Sequence, residues 1–223
     1  MREDVAGHIE LARAVRPFVD VADLARRAQL DRHDLQVLAR ANALRPPAGG
    51  NRRAALWLAA AAVPDRDLLR SAERDDGVPA LPQASESKEI VTDYNAMGFM
   101  LGRHPLALLR DRLTLDRLQS AEQLATLRSG QLAHACGLVT VRQRPGTANG
   151  VLFMTLEDET GQVNVILWPS LLEKFRKEAL GTHLLAIYGV WQAEGKVRHL
   201  IASKLVDRSE LLGNLPTTAR EFC

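Results

Sequence analysis

Cysteine is almost absent from this 223-residue chain: only Cys136 and Cys223 occur, with no CxxC and no framework of spaced pairs. That excludes the small disulfide-stapled secreted class, and a reduced, cytoplasmic setting is the simplest expectation. Long apolar runs are lacking too. The stretch "ALWLAAAAV" (55–63) is too short to cross a bilayer and reads as a buried helix, and there is no secretory leader. No membrane contact is expected. Neither sign of charge dominates, because 29 basic residues meet 27 acidic ones for a net +2, which neither demands nor excludes a nucleic-acid partner. Lysine is missing before Lys88 while arginine is abundant, a mark of genome composition more than of function. Aromatics make up only 4% of the chain, so each one is worth locating.

Catalytic signatures are equally scarce. The six histidines show no HxH, HxxxH or Cys/His spacing, so a zinc site is not expected. His134 and Cys136 share one face of a strand, but two ligands do not complete a tetrahedral site, and both read as buried. There is no GxSxG, and the glycines of "GTANG" (146–150) do not precede a helix, which rules out a phosphate-binding loop. "DRD" (65–67) is a short spacing in a proline-flanked segment. No catalytic residue, no metal site and no cofactor is expected within this chain.

What is present falls into parts. Residues 1–63 have helical periodicity without strand-like alternation. "DVADLARRAQL" (20–30) sets Val21, Leu24 and Ala25 on one face, with Asp20 or Asp23 available as a cap, and "DRHDLQVLARANAL" (31–44) repeats the device from Asp31. "RPPAGGNRR" (45–53) then breaks the helix. Residues 64–88, rich in Pro and Ser, read as a linker, and 89–128 as a helical connector interrupted at "GRHP". Residues 129–212 change period to strands, and 213–223 form a tail. The excess of basic over acidic side chains lies at the two ends, with 10 against 7 in residues 1–63 and 10 against 9 in 129–223. This is a weak polarity, compatible with DNA contact but not diagnostic of it.

The strand region carries the most information. Strands at 131–143, 150–158 and 162–168, a helix at 169–180 opening on Pro169, and strands at 182–192 and 196–206 give the order of an OB-fold, a five-stranded partly open barrel. The fold class is therefore α+β, an all-α N-terminal region followed by that barrel. In an OB-fold, strands 2 and 3 and the loops joining strands 1–2 and 4–5, here 144–149 and 193–195, make the nucleic-acid face. Alternation puts Leu152, Met154 and Leu156 on the core side of strand 2, and Val151, Phe153 and Thr155 on the other. Phe153 is then displayed beside Asn164 and Trp168, near Arg142 and Arg144. An aromatic plate beside cations suits a single strand, and stacking is worth roughly 1–3 kcal/mol per base. The bland alternative is a bulge that reverses parity and buries Phe153. Lys196 and Arg198 follow the 4–5 loop as further candidates. Trp191 either stacks on a base or closes the barrel end. Arg52 and Arg53, after the glycine pair, either grip duplex phosphates or form a solvated helix start.

"GVLFMTLEDETG" resembles the strand 2 signature of the anticodon-binding OB domains of class II aminoacyl-tRNA synthetases, in which a phenylalanine at the position of Phe153 stacks on an anticodon base. A wider resemblance runs along the whole chain. "VADLARRAQLDRHDLQVLARANAL" (21–44), "NRRAALW" (51–57), "VTDYNAMGFMLGRHPLALLRDRL" (91–113), "GLVTVRQRPGTANGVLFMTLEDETGQVNVILWP" (137–169) and the final "REFC" are similar, in order, to the C-terminal part of the error-prone C-family DNA polymerases of bacteria. The resemblance implies that residues 1–63 are a helix-hairpin-helix region contacting primer-template duplex, with the first hairpin truncated, and that the OB domain contacts single-stranded template. It implies translesion synthesis during DNA repair, and docking of accessory mutagenesis proteins, including an inactive Y-family-like partner. The family's Mg²⁺-binding palm aspartates have no counterpart here, so the chain reads as a C-terminal piece whose N-terminus is cut. Two other readings stay open: a protein-interaction platform, and a stand-alone OB-fold protein binding RNA or single-stranded DNA.

Overall fold

Aspartates begin two of the early helices by accepting hydrogen bonds that the first turn cannot satisfy internally. Asp20 caps α2 (Val21–Arg27) by accepting from the Asp23 backbone N–H at 2.6 Å. Asp31 caps α3 (Arg32–Arg40) in a reciprocal box with Asp34. These helices, with α1 (Glu3–Val15) and α4 (Arg52–Ala61), bury Val21, Leu24, Leu35, Ala39, Leu44 and Ala55 around one apolar core. A 3₁₀ turn at Pro46–Ala48 and the pair Gly49–Gly50 join α3 to α4, and α5 (Glu86–Met97) follows. The structure, a computed structural model, describes residues 3–61, 79–195, 197–213, 215 and 220–222. It comprises two compact units, Met1–Phe99 and Met100–Cys223, so the boundary falls inside the stretch 89–128. Most of the expected linker at 64–88 lies outside the described residues. No helix among those described is long and apolar enough to cross a membrane.

The second unit is built on a closed barrel. Its strands are β1 (Leu132–Gln143), β2 (Leu152–Asp158), β3 (Gly161–Leu167), β4 (Leu184–Glu194) and β5 (Val197–Asp207). Neighbours run β1-β2-β3-β5-β4 and back to β1, antiparallel except for the β3–β5 pair. This is the five-stranded OB-fold, and closure leaves few free edges for unwanted strand pairing. Its interior takes alternate residues: Ala133, Ala135 and Val139 of β1, Leu152, Met154 and Leu156 of β2, and Val163, Val165 and Leu167 of β3, with Trp191 and Leu200. Two helices, α6 (Pro105–Leu115) and α7 (Ala121–Ala125), precede the barrel. Leu106 and Leu113 of α6 pack with Leu118, Cys136, Leu138 and Leu184 in a second apolar cluster on the outside of β1 and β4. Burial there pushes the Cys136 thiol up to about 12, so it is an inert core side chain.

Two elements depart from the expected pattern. The helix expected over 169–180 is two short ones, α8 (Pro169–Lys174) and α9 (Arg176–Gly181), broken at Phe175, whose φ of −116° and ψ of 36° are not helical. The break lets Phe175 pack against the barrel core. The tail contributes a sixth strand, β6 (Arg220–Phe222), which runs parallel to β1 over Val141–Gln143. It fits there because β4 pairs with β1 only over Leu132–Leu138 and leaves the rest of that edge open.

Candidate nucleic-acid interface

Strand pairing assembles a groove of about 420 Å³ on the outside of β1, β2, β3 and β5. Its lateral order follows from register, since in-register residues of adjacent strands lie on the same face. One row runs Gln143, Phe153 and Ile166, continuing to Ile201 of β5. The next runs Val141, Thr155 and Asn164. Phe153 is 37% exposed, while Leu152 and Met154 on either side are buried, so its ring is offered to a ligand along one side. Thr155 Oγ1 donates to Asn164 Oδ1 at 3.4 Å. That contact leaves the Asn164 amide N–H groups directed elsewhere, and Asn164 itself is exposed. Val197, Arg198 and His199 form the β5 side of the groove. The Arg198 guanidinium is held by the Ala125 carbonyl at 2.9 Å, and the His199 ring by Gln192 Oε1 at 3.0 Å.

Arg144 is exposed on the β1–β2 loop and makes no ion pair among the described residues. Its position is set by Gly150, which adopts φ +82°. A Cβ there would lie 3.3 Å from an Arg144 guanidinium nitrogen and 3.6 Å from Pro169. Trp168, just after β3, is 51% exposed but does not line the groove. Lys196 lies outside the described residues.

Three candidates turn out to be internal. Arg142 is only 6% exposed, and its Nε donates to the Ala179 carbonyl at 2.8 Å while an Nη donates to the Thr182 carbonyl. It closes the orphan carbonyls at the end of α9 and is not displayed to phosphate. The cause is a bulge in β1 between Val139 and Val141, which inserts one residue and reverses parity beyond it. Arg142 therefore turns inward, opposite Met154, and Val141 and Gln143 turn outward. Arg52 is also buried, ion-paired with Asp93 and with Glu89 of α5, the latter at 2.9 Å. It ties α4 to α5 and does not face solvent. Arg53 donates to the Pro82 carbonyl at 3.2 Å. Of the two roles open to Trp191, the barrel interior is the one observed.

Simple alternation gave no signal for Gln143, Val141, Ile166 or His199 as groove residues, because their place depends on a bulge and on the parallel β3–β5 pairing. Among the described residues, no group of three or more His, Cys, Asp or Glu is arranged to hold a metal ion.

Residues 121–207 match the family model described as "OB-fold nucleic acid binding domain". Across its whole length the chain is 52% identical to the error-prone DNA polymerase of Ralstonia pickettii (strain 12J), covering 21% of that protein. It is 55% identical over 99% of its length to the error-prone DNA polymerase of Burkholderia pseudomallei (strain K96243), covering 20% of it. The chain thus spans about a fifth of the length of these relatives, corresponding to their C-terminal part. Among solved structures, asparaginyl-tRNA synthetase from Pyrococcus horikoshii is similar over 41% of this chain and 22% of its own, at 18% identity and a TM-score of 0.35.

Proposed function

We propose that this chain is the DNA-binding C-terminal module of an error-prone, translesion DNA polymerase, with the barrel taking single-stranded template and the helical N-terminal unit contacting primer-template duplex. The observation that carries the reading is the half-exposed ring of Phe153 in a groove whose neighbours, Gln143, Thr155 and Asn164, can hydrogen-bond to bases. Similarity along the whole length to error-prone DNA polymerases supports it. Nucleotidyl transfer would belong to other segments of such a polymerase. The residues described here do not fit the carboxylate set that would hold its Mg²⁺.

A second reading has one observation in its favour. Much of the groove is apolar, with Val141, Ile166 and Val197 around Phe153, and its described cations are few. Such a face also suits a protein anchor, and the occupant would then be an accessory mutagenesis protein such as an inactive Y-family-like partner. Fluorescence anisotropy of a labelled single-stranded oligonucleotide, at two salt concentrations, separates the two. Template binding predicts an affinity that falls with salt through counterion release and is weakened by Phe153→Ala by roughly 1–3 kcal/mol. An absence of binding at low salt sinks the template reading and leaves partner docking.

A further inference from the structure

The groove rows do not end at β1. Strand β6 lies on the other side of β1 from β2, with Arg220 in register with Val141, Glu221 with Arg142 and Phe222 with Gln143. Val141 and Gln143 line the groove, whereas Arg142 is buried. By the same rule of register, position 220 continues the row Val141–Thr155–Asn164, and position 222 continues the row Gln143–Phe153–Ile166. Position 221 falls on the barrel side. The two groove-side positions thus carry a cation and an aromatic, the pairing of chemistries a single strand needs for phosphate and base.

We propose that the strand Arg220–Phe222 is the outer border of the nucleic-acid groove, extending it by one strand and providing a second base-contact position about 10 Å from Phe153, two strand spacings away. This rests on the template reading of the same groove. The bulge in β1 is what makes the extension possible. Without it, Arg142 would face out and the residues in register with positions 220 and 222 would face the barrel interior. The half of β1 that β4 leaves unpaired is also the half that carries groove residues, so whatever strand fills that edge borders the ligand.

The test uses the full chain and labelled oligothymidines of increasing length, compared for wild type, Phe153→Ala, Phe222→Ala, Phe222→Trp and Glu221→Ala, with thermal melting of each. The expected result is that Phe222→Ala, folded like wild type, binds long oligonucleotides roughly 5- to 150-fold more weakly, the range that loss of one stacked base supports. Phe222→Trp and Glu221→Ala should stay near wild type, and the shortest oligonucleotides that bind should not distinguish Phe222→Ala from wild type. If Phe153→Ala weakens binding and Phe222→Ala does not, the border assignment is overturned while the template reading stands. If wild type does not bind, or neither variant matters, both fall. Should Phe222→Ala melt early, the Phe222→Trp and Arg220→Ala variants decide: loss of affinity in Arg220→Ala, with melting unchanged, supports the border, and wild-type affinity in both overturns it.

Discussion

Arg142 does structural work that its neighbour Arg144 cannot share. Its guanidinium sits at the end of the barrel and satisfies the Ala179 and Thr182 carbonyls, which would otherwise be buried at a helix terminus without a donor. Hydrogen bonds from a charged donor contribute about 1.5–3 kcal/mol, and orphaned buried acceptors add a desolvation cost. Arg142→Ala is therefore expected to lower stability by about 2–4 kcal/mol in chemical denaturation. Arg144→Ala should leave the melt unchanged and reduce only oligonucleotide affinity. If Arg142→Ala melted like wild type, the capping role would be refuted.

At the scale of elements, α6 is fastened to the β2–β3 turn by Arg110. Its guanidinium donates to both Glu159 carboxylate oxygens, at 2.5 and 2.9 Å, and lies 3.3 Å from Asp158. Asp158 in turn accepts from the backbone N–H groups of Ala121, Thr160 and Gly161, joining α7 to the same turn. Burial works to raise the Glu159 carboxyl, but the Arg110 contact outweighs it and holds the group below its ordinary value of 4.5. A carboxyl that titrates lower when folded adds stability above its unfolded value and loses it as pH falls through the folded one. Thermal melting below pH 4.5 should therefore narrow the gap between wild type and Glu159→Gln, a gap that is full near neutrality. A gap independent of pH would contradict this account of the latch.

Strand order, helix caps and the parity of β2 were all legible in the sequence, because each depends on residues within one element or one turn. The parity of β1 beyond residue 139 was not. A bulge arises from pairing with β2, and nothing within "GLVTVRQR" marks where the extra residue sits. That one inserted residue accounts for both the burial of Arg142 and the exposure of Gln143. Arg52 was misplaced for a related reason, since its partners Glu89 and Asp93 lie far along the chain. The parallel strand β6 was also illegible: three residues carry too little periodicity to announce a strand.

Over the whole molecule, each unit has a core of its own: the helical cluster around Leu35 and Leu44 in one, the barrel interior and the α6 cluster in the other. A fragment comprising residues 100–223 is expected to unfold in a single cooperative urea transition with β-rich circular dichroism. A broad, non-cooperative transition would show that the barrel borrows stability from elsewhere. With a net charge of only +2, and few cations around the groove, long-range steering of nucleic acid is weak, so contact chemistry at the groove has to supply most of the discrimination.

Fold and groove are carried on alternate residues of the same strands. Leu152, Met154 and Leu156 hold the barrel together, while Phe153 and Thr155, interleaved with them, touch only what arrives from outside. Drift at the outward positions costs the protein little in folding, and drift at the inward ones leaves the ligand surface intact. Such a lineage can retune which bases or partners it accepts, one outward residue at a time, without passing through unfolded ancestors.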